Sequence, residues 1–354
     1  MKIGKYEIKH PIIQGGMGVG ISWDQLAGNV SLEGGLGVIS AVGTGYYKNR
    51  SENIHIVTKK DKPKDVENFY NKESLFEIVA NARKICGDAP LACNILYAIN
   101  DYGRVVRDAC EAGINIIITG AGIPTNMPEF TKDFPDVALI PIVSSARALK
   151  LICKKWQRYN KLPDAVIVEG PLSGGHQGFT YEQCGQEEYQ LENIIGPVIE
   201  EAKSWGNIPI IAAGGIWDKN DIDKFIALGC TGVQMATRFI GTFECDADAK
   251  FKNVLLNAKA EDIQLMKSPV GLPARGVMTN LQFSIENKTA PKVQCISNCV
   301  APCNRGHEAK LVGYCIADRL GAAYNGDTET GLFFSGSNGY RIDKILSVKE
   351  LMEK

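Results

Sequence analysis

A (β/α)8 TIM-type barrel carrying an added C-terminal helical or irregular subdomain is the fold this sequence predicts, on three observations. Eight short runs are apolar at consecutive positions instead of alternating, as strands covered on both faces require. Amphipathic stretches of helical period separate those runs. Several of these stretches close on glycine just before the next run, at Gly34-Gly35, Gly113 and Gly229.

Taken in order, the strands are Pro11-Ile-Ile13, Gly37-Val-Ile-Ser40, Leu91-Ala-Cys93, Asn115-Ile-Ile-Ile118, Ala138-Leu-Ile-Pro141, Ala165-Val-Ile-Val168, Pro209-Ile-Ile-Ala212 and Gly232-Val-Gln-Met235. Helical patterns fall between them at about residues 24–34, 74–86, 103–112, 125–133, 145–158, 190–205 and 218–228. An open doubly wound sheet is the competing architecture. It favours a G-x-G-x-x-G turn after the first strand and an acid about 20 residues later. Gln14-Gly-Gly-Met-Gly-Val-Gly20 fits that register only by force, and no convincing ribose acid follows.

Two regions break the alternation. Residues 46–73 are polar and include Lys59-Lys-Asp-Lys-Pro-Lys-Asp65, which reads as a solvated excursion after the second strand. Residues 245–320 hold Lys267-Ser-Pro-Val-Gly-Leu-Pro273, Arg275 and a cysteine cluster, and read as an added helical or irregular subdomain after the eighth strand. The expected division is therefore a barrel over 1–244, the added subdomain over 245–320, and a C-terminal return to the barrel over 321–354. Val348-Lys-Glu-Leu-Met352 is expected to be a last helix packing on the barrel.

The chain has 354 residues, enough for one large barrel, and is 45% hydrophobic and 22% charged. Its 39 basic and 40 acidic residues nearly cancel, so no strong attraction to nucleic acid or to a membrane is expected. Met1–His10 lacks the apolar core of a signal peptide, and no uncharged stretch is long enough to span a bilayer, which makes the cytoplasm the expected location. Eleven cysteines in such a chain are expected as reduced thiols. Cys86, Cys93, Cys110, Cys153 and Cys230 sit in or beside apolar runs and read as core. Cys295, Cys299, Cys303 and Cys315 have the spacing C-x3-C-x3-C-x11-C, which matches no usual zinc or ferredoxin pattern, and packing is favoured over metal binding.

Barrel enzymes commonly bind phosphate in the loops after strands seven and eight. Here strand seven leads into Gly214-Gly215-Ile216, whose bare backbone amides can approach phosphate oxygens. Strand eight leads into Ala236-Thr237-Arg238, adding a hydroxyl and a nearby charge. Ahead of both, the sixth strand runs into Glu169-Gly-Pro-Leu-Ser-Gly-Gly-His-Gln-Gly178. Gly174 and Gly175 permit a sharp bend that projects His176, a group able to act as acid, base or ligand. Taken alone, Gly-Gly-His more often describes a glycine turn with a surface histidine.

Four segments together carry a resemblance: Pro11-Ile-Ile-Gln-Gly-Gly-Met17, Glu169 to His176, Ala212-Ala-Gly-Gly-Ile216 and Gly232-Val-Gln-Met-Ala-Thr-Arg-Phe239. In order along residues 6–243, and again at Gly331-Leu-Phe-Phe-Ser-Gly-Ser-Asn-Gly339, the chain resembles the nitronate monooxygenases, formerly called 2-nitropropane dioxygenases. It is also similar to the flavin-dependent enoyl-[acyl-carrier-protein] reductases. The resemblance implies FMN as cofactor. It implies that Gln14, Gly15, Gly16 and Met17 pass the flavin ring, that Asn94, after the third strand, hydrogen-bonds it, and that Glu169 lies near the ribityl chain or ring edge. It further implies that Gly174 and Gly175 touch the flavin, that Gly214, Gly215, Gln234, Met235, Ala236 and Thr237 hold the phosphate, and that His176 is catalytic. Val137-Ala138-Leu139 stands where many relatives carry a lysine, so one cofactor charge is missing.

The activity implied is FMN-dependent oxidation of alkyl nitronates by O2 to a carbonyl compound and nitrite, with propionate 3-nitronate as one candidate substrate. The flavin carries the electron chemistry, and the protein orients the small-molecule substrate. The alternatives are NAD(P)H-dependent reduction of an enoyl thioester or quinone on the same flavin, and a non-catalytic sensor of FMN or another phosphate ligand. A homodimer is compatible with the sequence.

Overall fold

The computed structural model describes residues 1–47, 69–290, 292–293, 295 and 299–353; the expected excursion after the second strand, with its Lys59–Asp65 run, falls largely outside these described residues. Eight parallel strands form one sheet: β1 (Ile12–Gln14), β2 (Gly37–Ser40), β3 (Leu91–Leu96), β4 (Ile116–Gly120), β5 (Ala138–Val143), β6 (Val166–Glu169), β7 (Ile210–Ala213) and β8 (Gly232–Met235). Each pairs with its sequence neighbour, and β8 pairs with β1, matching Val233 to Ile12 and Met235 to Gln14. The ring closes between β1 and β2 through a parallel bridge of Ile13 and Leu36. Between the strands run α1 (Asp24–Leu32), α2 (Lys72–Cys86), α3 (Tyr102–Glu111), α4 (Met127–Phe130), α5 (Ala146–Trp156), α6 (Leu191–Lys203) and α7 (Lys219–Ala227), with α8 (Thr237–Ile240) after β8. The expected eight-stranded barrel is thus the observed one.

The consecutive apolar runs have the expected cause. Side chains alternate across a strand, so Ile116 and Ile118 enter the barrel interior with Ile13, Val38, Ile140 and Ile167, while Ile117 faces the helices with Leu139 and Val166. Ile3, within the hairpin of Lys2–Ile3 and Tyr6–Glu7, and Ile8, just after it, join the interior cluster and cover the N-terminal end of the strands. The cysteines expected in the core, Cys86, Cys93, Cys110, Cys153 and Cys230, are all buried.

Local signals set the helices. Asn71 caps α2 by accepting from the Ser74 amide, and Ser145 caps α5 by accepting from the Ala148 amide. Asp218 and Asp221 form a reciprocal capping box on α7. At α1 the flanking residue, Trp23, offers no side-chain cap. The buried Asp246 carboxylate supplies it from far along the chain, accepting from the amides of Trp23 at 2.8 Å, Gln25 at 3.2 Å and Leu26 at 3.2 Å.

Beyond residue 245 the chain forms helices and also strand. Ile263–Met266 and Ala274–Val277 form an antiparallel pair, whose second member also pairs with Phe333–Phe334 and with Gly175–His176. This small sheet ties the late segments to the turn after β6. The helix Val348–Met352 is present, and its Val348 and Leu351 join the main core. Among the described residues no helix is long and apolar enough to cross a membrane, and no three His, Cys, Asp or Glu groups are placed to hold a metal ion.

Candidate active site

Every residue expected at the cofactor site lies at the C-terminal ends of the barrel strands or in the loops that follow them. Gln14 ends β1 with its side chain fully buried. Its Oε1 accepts from the Val38 amide at 3.0 Å, and its Nε2 donates to the Gly15 carbonyl at 2.5 Å. The side chain is therefore spent on holding the turn, leaving backbone to face the site. A Cβ on Gly16 would lie 2.4 Å from the Asn94 Cβ, and one on Gly15 would lie 3.3 Å from the Gln234 Cδ. These glycines let the β1 turn close upon the very side chains expected to meet the cofactor.

Asn94 lies within β3, not after it, paired to Ser40 on one side and Ile118 on the other. The strand continues to Leu96 because a polar residue near the open end of a barrel faces the site instead of the hydrocarbon interior. Gln234, in β8, is buried, and its Oε1 has no hydrogen-bond partner. A buried acceptor of this kind costs about 1 to 3 kcal/mol until a donor reaches it.

The two phosphate-type loops lie side by side. Gly214 and Gly215 have φ of +98° and +87°, which side chains rarely adopt. A Cβ on Gly214 would lie 2.7 Å from the Gly170 carbonyl oxygen, and one on Gly215 would lie 3.1 Å from the Leu172 Cβ, so the β7 loop runs against the β6 turn. Ala236 precedes α8 and Thr237 opens it. Arg238, expected as a nearby charge, is committed elsewhere: its guanidinium donates to the Trp217 carbonyl and lies 5.4 Å from the Trp217 ring centroid. Arg341 lies over the same ring and pairs with Asp218 at 2.9 Å, which compensates the charge of that surface cleft internally.

A C-terminal segment completes the site. The Gly336 amide donates to Thr237 Oγ1 at 2.8 Å, Asn338 Nδ2 donates to the Gly215 carbonyl at 2.6 Å, and the Ser337 amide donates to the Leu172 carbonyl at 3.0 Å. A Cβ on Gly174 would lie 2.6 Å from the Gly336 amide nitrogen, so close chain packing is one reason for glycine at 174. Gly175, at φ +74°, then turns the backbone into the small sheet.

His176 is partly buried beside Phe334, ring centroids 5.4 Å apart at 78°, with its Nε2 2.7 Å from Ser268 Oγ. Burial disfavours the imidazolium and lowers its pKa from 6.5 to about 4. Burial acts oppositely on Glu169, at the end of β6, raising its carboxyl from 4.5 to about 7. The site thus presents a neutral imidazole, a carboxyl near neutrality, an orphaned amide acceptor and two loops of turned-in backbone.

Ser268, Gln177, Phe334, Gly336 and Asn338 were not picked out as site residues from sequence. The Gly331–Gly339 run signalled that the chain returns near the site; nothing local to Ser268 or Gln177 did. Of the cysteine cluster, Cys299, Cys303 and Cys315 are buried and Cys295 is exposed.

Comparison with known proteins gives the chain its family and its fold. The nitronate monooxygenase family model matches residues 1–354. A protein of Staphylococcus saprophyticus named as a probable nitronate monooxygenase is 29% identical over 287 residues, 77% of each chain. The nitronate monooxygenase of Pseudomonas aeruginosa is 27% identical over 293 residues, covering 78% of this chain and 79% of its own. Among solved structures, FabK from Thermotoga maritima superposes with a TM-score of 0.71 at 27% identity, over 98% of this chain and 91% of its own. With the barrel closed, the two glycine loops adjacent and the whole length matched, this chain belongs to the nitronate monooxygenase family of oxidoreductases.

Proposed function

We propose that this protein oxidises alkyl nitronates with FMN and O2, releasing a carbonyl compound and nitrite, with propionate 3-nitronate within its substrate range. The observation that carries the reading is the neutral His176 imidazole held on the glycine turn beside the two phosphate-type loops. Bound FMN supplies the electron acceptance and the reaction with O2; the residues supply everything else.

The donor set fits FMN. Gln234 Oε1 is a buried acceptor in want of an N–H, which the edge of a flavin ring offers. The Gly15 backbone stands next to it, and the Gly16 backbone next to Asn94. Gly214, Gly215, Ala236 and Thr237 offer backbone amides, the Met235 amide being taken up in the ladder with β1, and the Thr237 hydroxyl, accepting from Gly336, still has its proton to donate to phosphate oxygen. Glu169, Gly174 and Gly175 line the turn between the phosphate loops and His176. His176 would take the α-proton of a neutral nitroalkane.

Anaerobic mixing of the FMN-bound protein with propionate 3-nitronate and, separately, with NADH tests this. Flavin bleaching by nitronate is expected; bleaching by NADH alone overturns the reading. The likeness to FabK favours, as the second reading, NAD(P)H-dependent reduction of an enoyl thioester or quinone. His176→Ala is expected to retain FMN and lose most nitroalkane turnover, and full activity removes His176 from the mechanism.

A further inference from the structure

We propose that Glu169 holds FMN as a neutral carboxylic acid, so that cofactor binding takes up one proton at the barrel mouth. The inference rests on the reading of this site as an FMN site. It follows from the register of neighbouring strands.

Glu169 in β6 pairs with Ala213 in β7, and Ala213 pairs with Gln234 in β8. All three side chains point into the barrel. Ile167 and Ile211, two residues before Glu169 and Ala213, join the interior cluster, whereas Val168 and Val233 belong to the outer one. Neighbouring strands lie about 4.8 Å apart, so the Cα atoms of Glu169 and Gln234 stand about 10 Å apart with only the Ala213 methyl between them. Asn94 occupies the corresponding inward place on β3, two residues after Ala92. The apolar interior thus ends in a polar layer of one carboxyl and two amides, where the glycine loops begin.

Nothing in the protein answers the carboxyl. Among the described residues Glu169 makes no side-chain hydrogen bond and no ion pair. The flanking strand ends bring only Ile142, Val143 and Ala213. Across the mouth stand Ser40, Asn94 and Gln234, none of which titrates. In the turn beyond, His176 bonds Ser268, and Arg275 donates to the Pro171 carbonyl at 3.0 Å. Outside β6, Glu192 of α6 pairs with Lys224, and Arg238 of α8 is turned to the Trp217 carbonyl. No cation among the described residues is therefore aimed at Glu169, and burial alone raises its pKa from 4.5 to about 7.

An ionised Glu169 is an acceptor only, beside loops that receive an anionic phosphate. A protonated Glu169 is a donor. The flavin ring edge alternates N–H with carbonyl oxygen, so Gln234 Oε1 takes the one and the Glu169 O–H gives to the other. Because binding selects the protonated form, it draws a proton from solvent wherever the free site is ionised, above about pH 7. The O–H bond of the carboxyl is the only one that forms.

The test is the Kd of the holoprotein against pH, read from the fluorescence of FMN released on dilution. Between pH 7.5 and 8.5 the phosphate is already ionised, its second pKa being about 6. Over that window the wild-type Kd should rise nearly tenfold, and that of Glu169→Gln, which cannot titrate, should stay flat. Carbon NMR of the FMN-bound protein labelled at the glutamate carboxyls reads the acid directly. At pH 8 one protonated carboxyl is expected in the wild type and none in Glu169→Gln. A wild-type Kd that does not change with pH, a rise retained in Glu169→Gln, or a wild-type spectrum with every glutamate ionised overturns the proposal. If Glu169→Gln fails to fold, the wild-type Kd profile and spectrum carry the test. A protein that holds no flavin at any pH fails the FMN reading itself, and its absorbance shows this before any dilution.

Discussion

The Gln177 side chain folds back inside the turn that displays His176, its Nε2 donating to the Gly175 carbonyl at 3.0 Å and to the Ser173 carbonyl at 2.9 Å. Its own amide donates to the Pro273 carbonyl at 2.8 Å, joining the turn to the small sheet. Gln177→Leu keeps the volume and removes both side-chain donors, leaving two carbonyls in want of partners. A stability loss of about 1 to 3 kcal/mol is expected in urea unfolding. Because misplacing a catalytic group by about 1 Å can cost about a hundredfold, turnover of a neutral nitroalkane should fall at least about tenfold with FMN retained. Wild-type turnover in a folded Gln177→Leu protein would show that the turn holds itself.

Thr237 and Gly215 lie on the two phosphate-type loops, and each is also tied to the C-terminal segment through Gly336 and Asn338. Thr237→Val removes a hydroxyl that accepts from Gly336 and has a proton to give a phosphate. Gly215→Leu adds a side chain at φ +87° with Leu172 3.1 Å from its Cβ. The double variant is expected to lose FMN on gel filtration, its Kd raised at least about tenfold, since two or more charge-assisted contacts of about 1.5 kcal/mol each are removed. Unchanged flavin absorbance would place the phosphate elsewhere.

The barrel was legible because its cause is local. Each strand run is apolar at successive positions, and several helices carry their own cap or closing glycine, as at Asn71 and Gly87. The glycine loops were legible for the same reason. What the sequence hid is what depends on distant pairing. Ser268 reaches His176 across 92 residues and Gly336 reaches Thr237 across 99, and neither separation leaves a periodic trace. Arg238 misled for a related reason: its place beside Thr237 put a charge near the loop, and only the packing of Trp217 shows where the guanidinium goes.

Asp246 is another long-range partner, and its effect is on stability. It serves three amides at the start of α1, a helix whose own flanking residue gives no cap. Asp246→Ala should cost about 2 kcal/mol or more, above the roughly 1 kcal/mol of an exposed cap, because buried amides are left unpaired. Asp246→Asn keeps acceptor oxygen at one position and should lose less. Equal losses in the two variants, measured by urea unfolding, would show that charge, not the hydrogen bonds, holds the helix start.

Glu169 gives the pH prediction its sign. Its folded pKa of about 7 lies above the ordinary 4.5, so the folded state holds a proton that the unfolded chain releases. Stability therefore falls as pH rises from about 4.5 to 7, is unaffected below that window and stays at the lower level above it. A shift of this size corresponds to at most about 3 kcal/mol, and partial exposure of the carboxyl reduces it. His176 works the other way: its folded pKa of about 4 lies below 6.5, so stability is lost as pH falls through that interval. The windows overlap, and a wild-type profile alone would mix them. Glu169→Gln separates them, since glutamine does not titrate. At fixed cofactor occupancy, the unfolding free energy of Glu169→Gln minus that of wild type should climb between pH 5 and pH 7 and then level off. A difference that does not change with pH would mean that Glu169 finds a donor that stabilises its charged form, and FMN-bound and FMN-free samples measured side by side would show whether the cofactor is that donor.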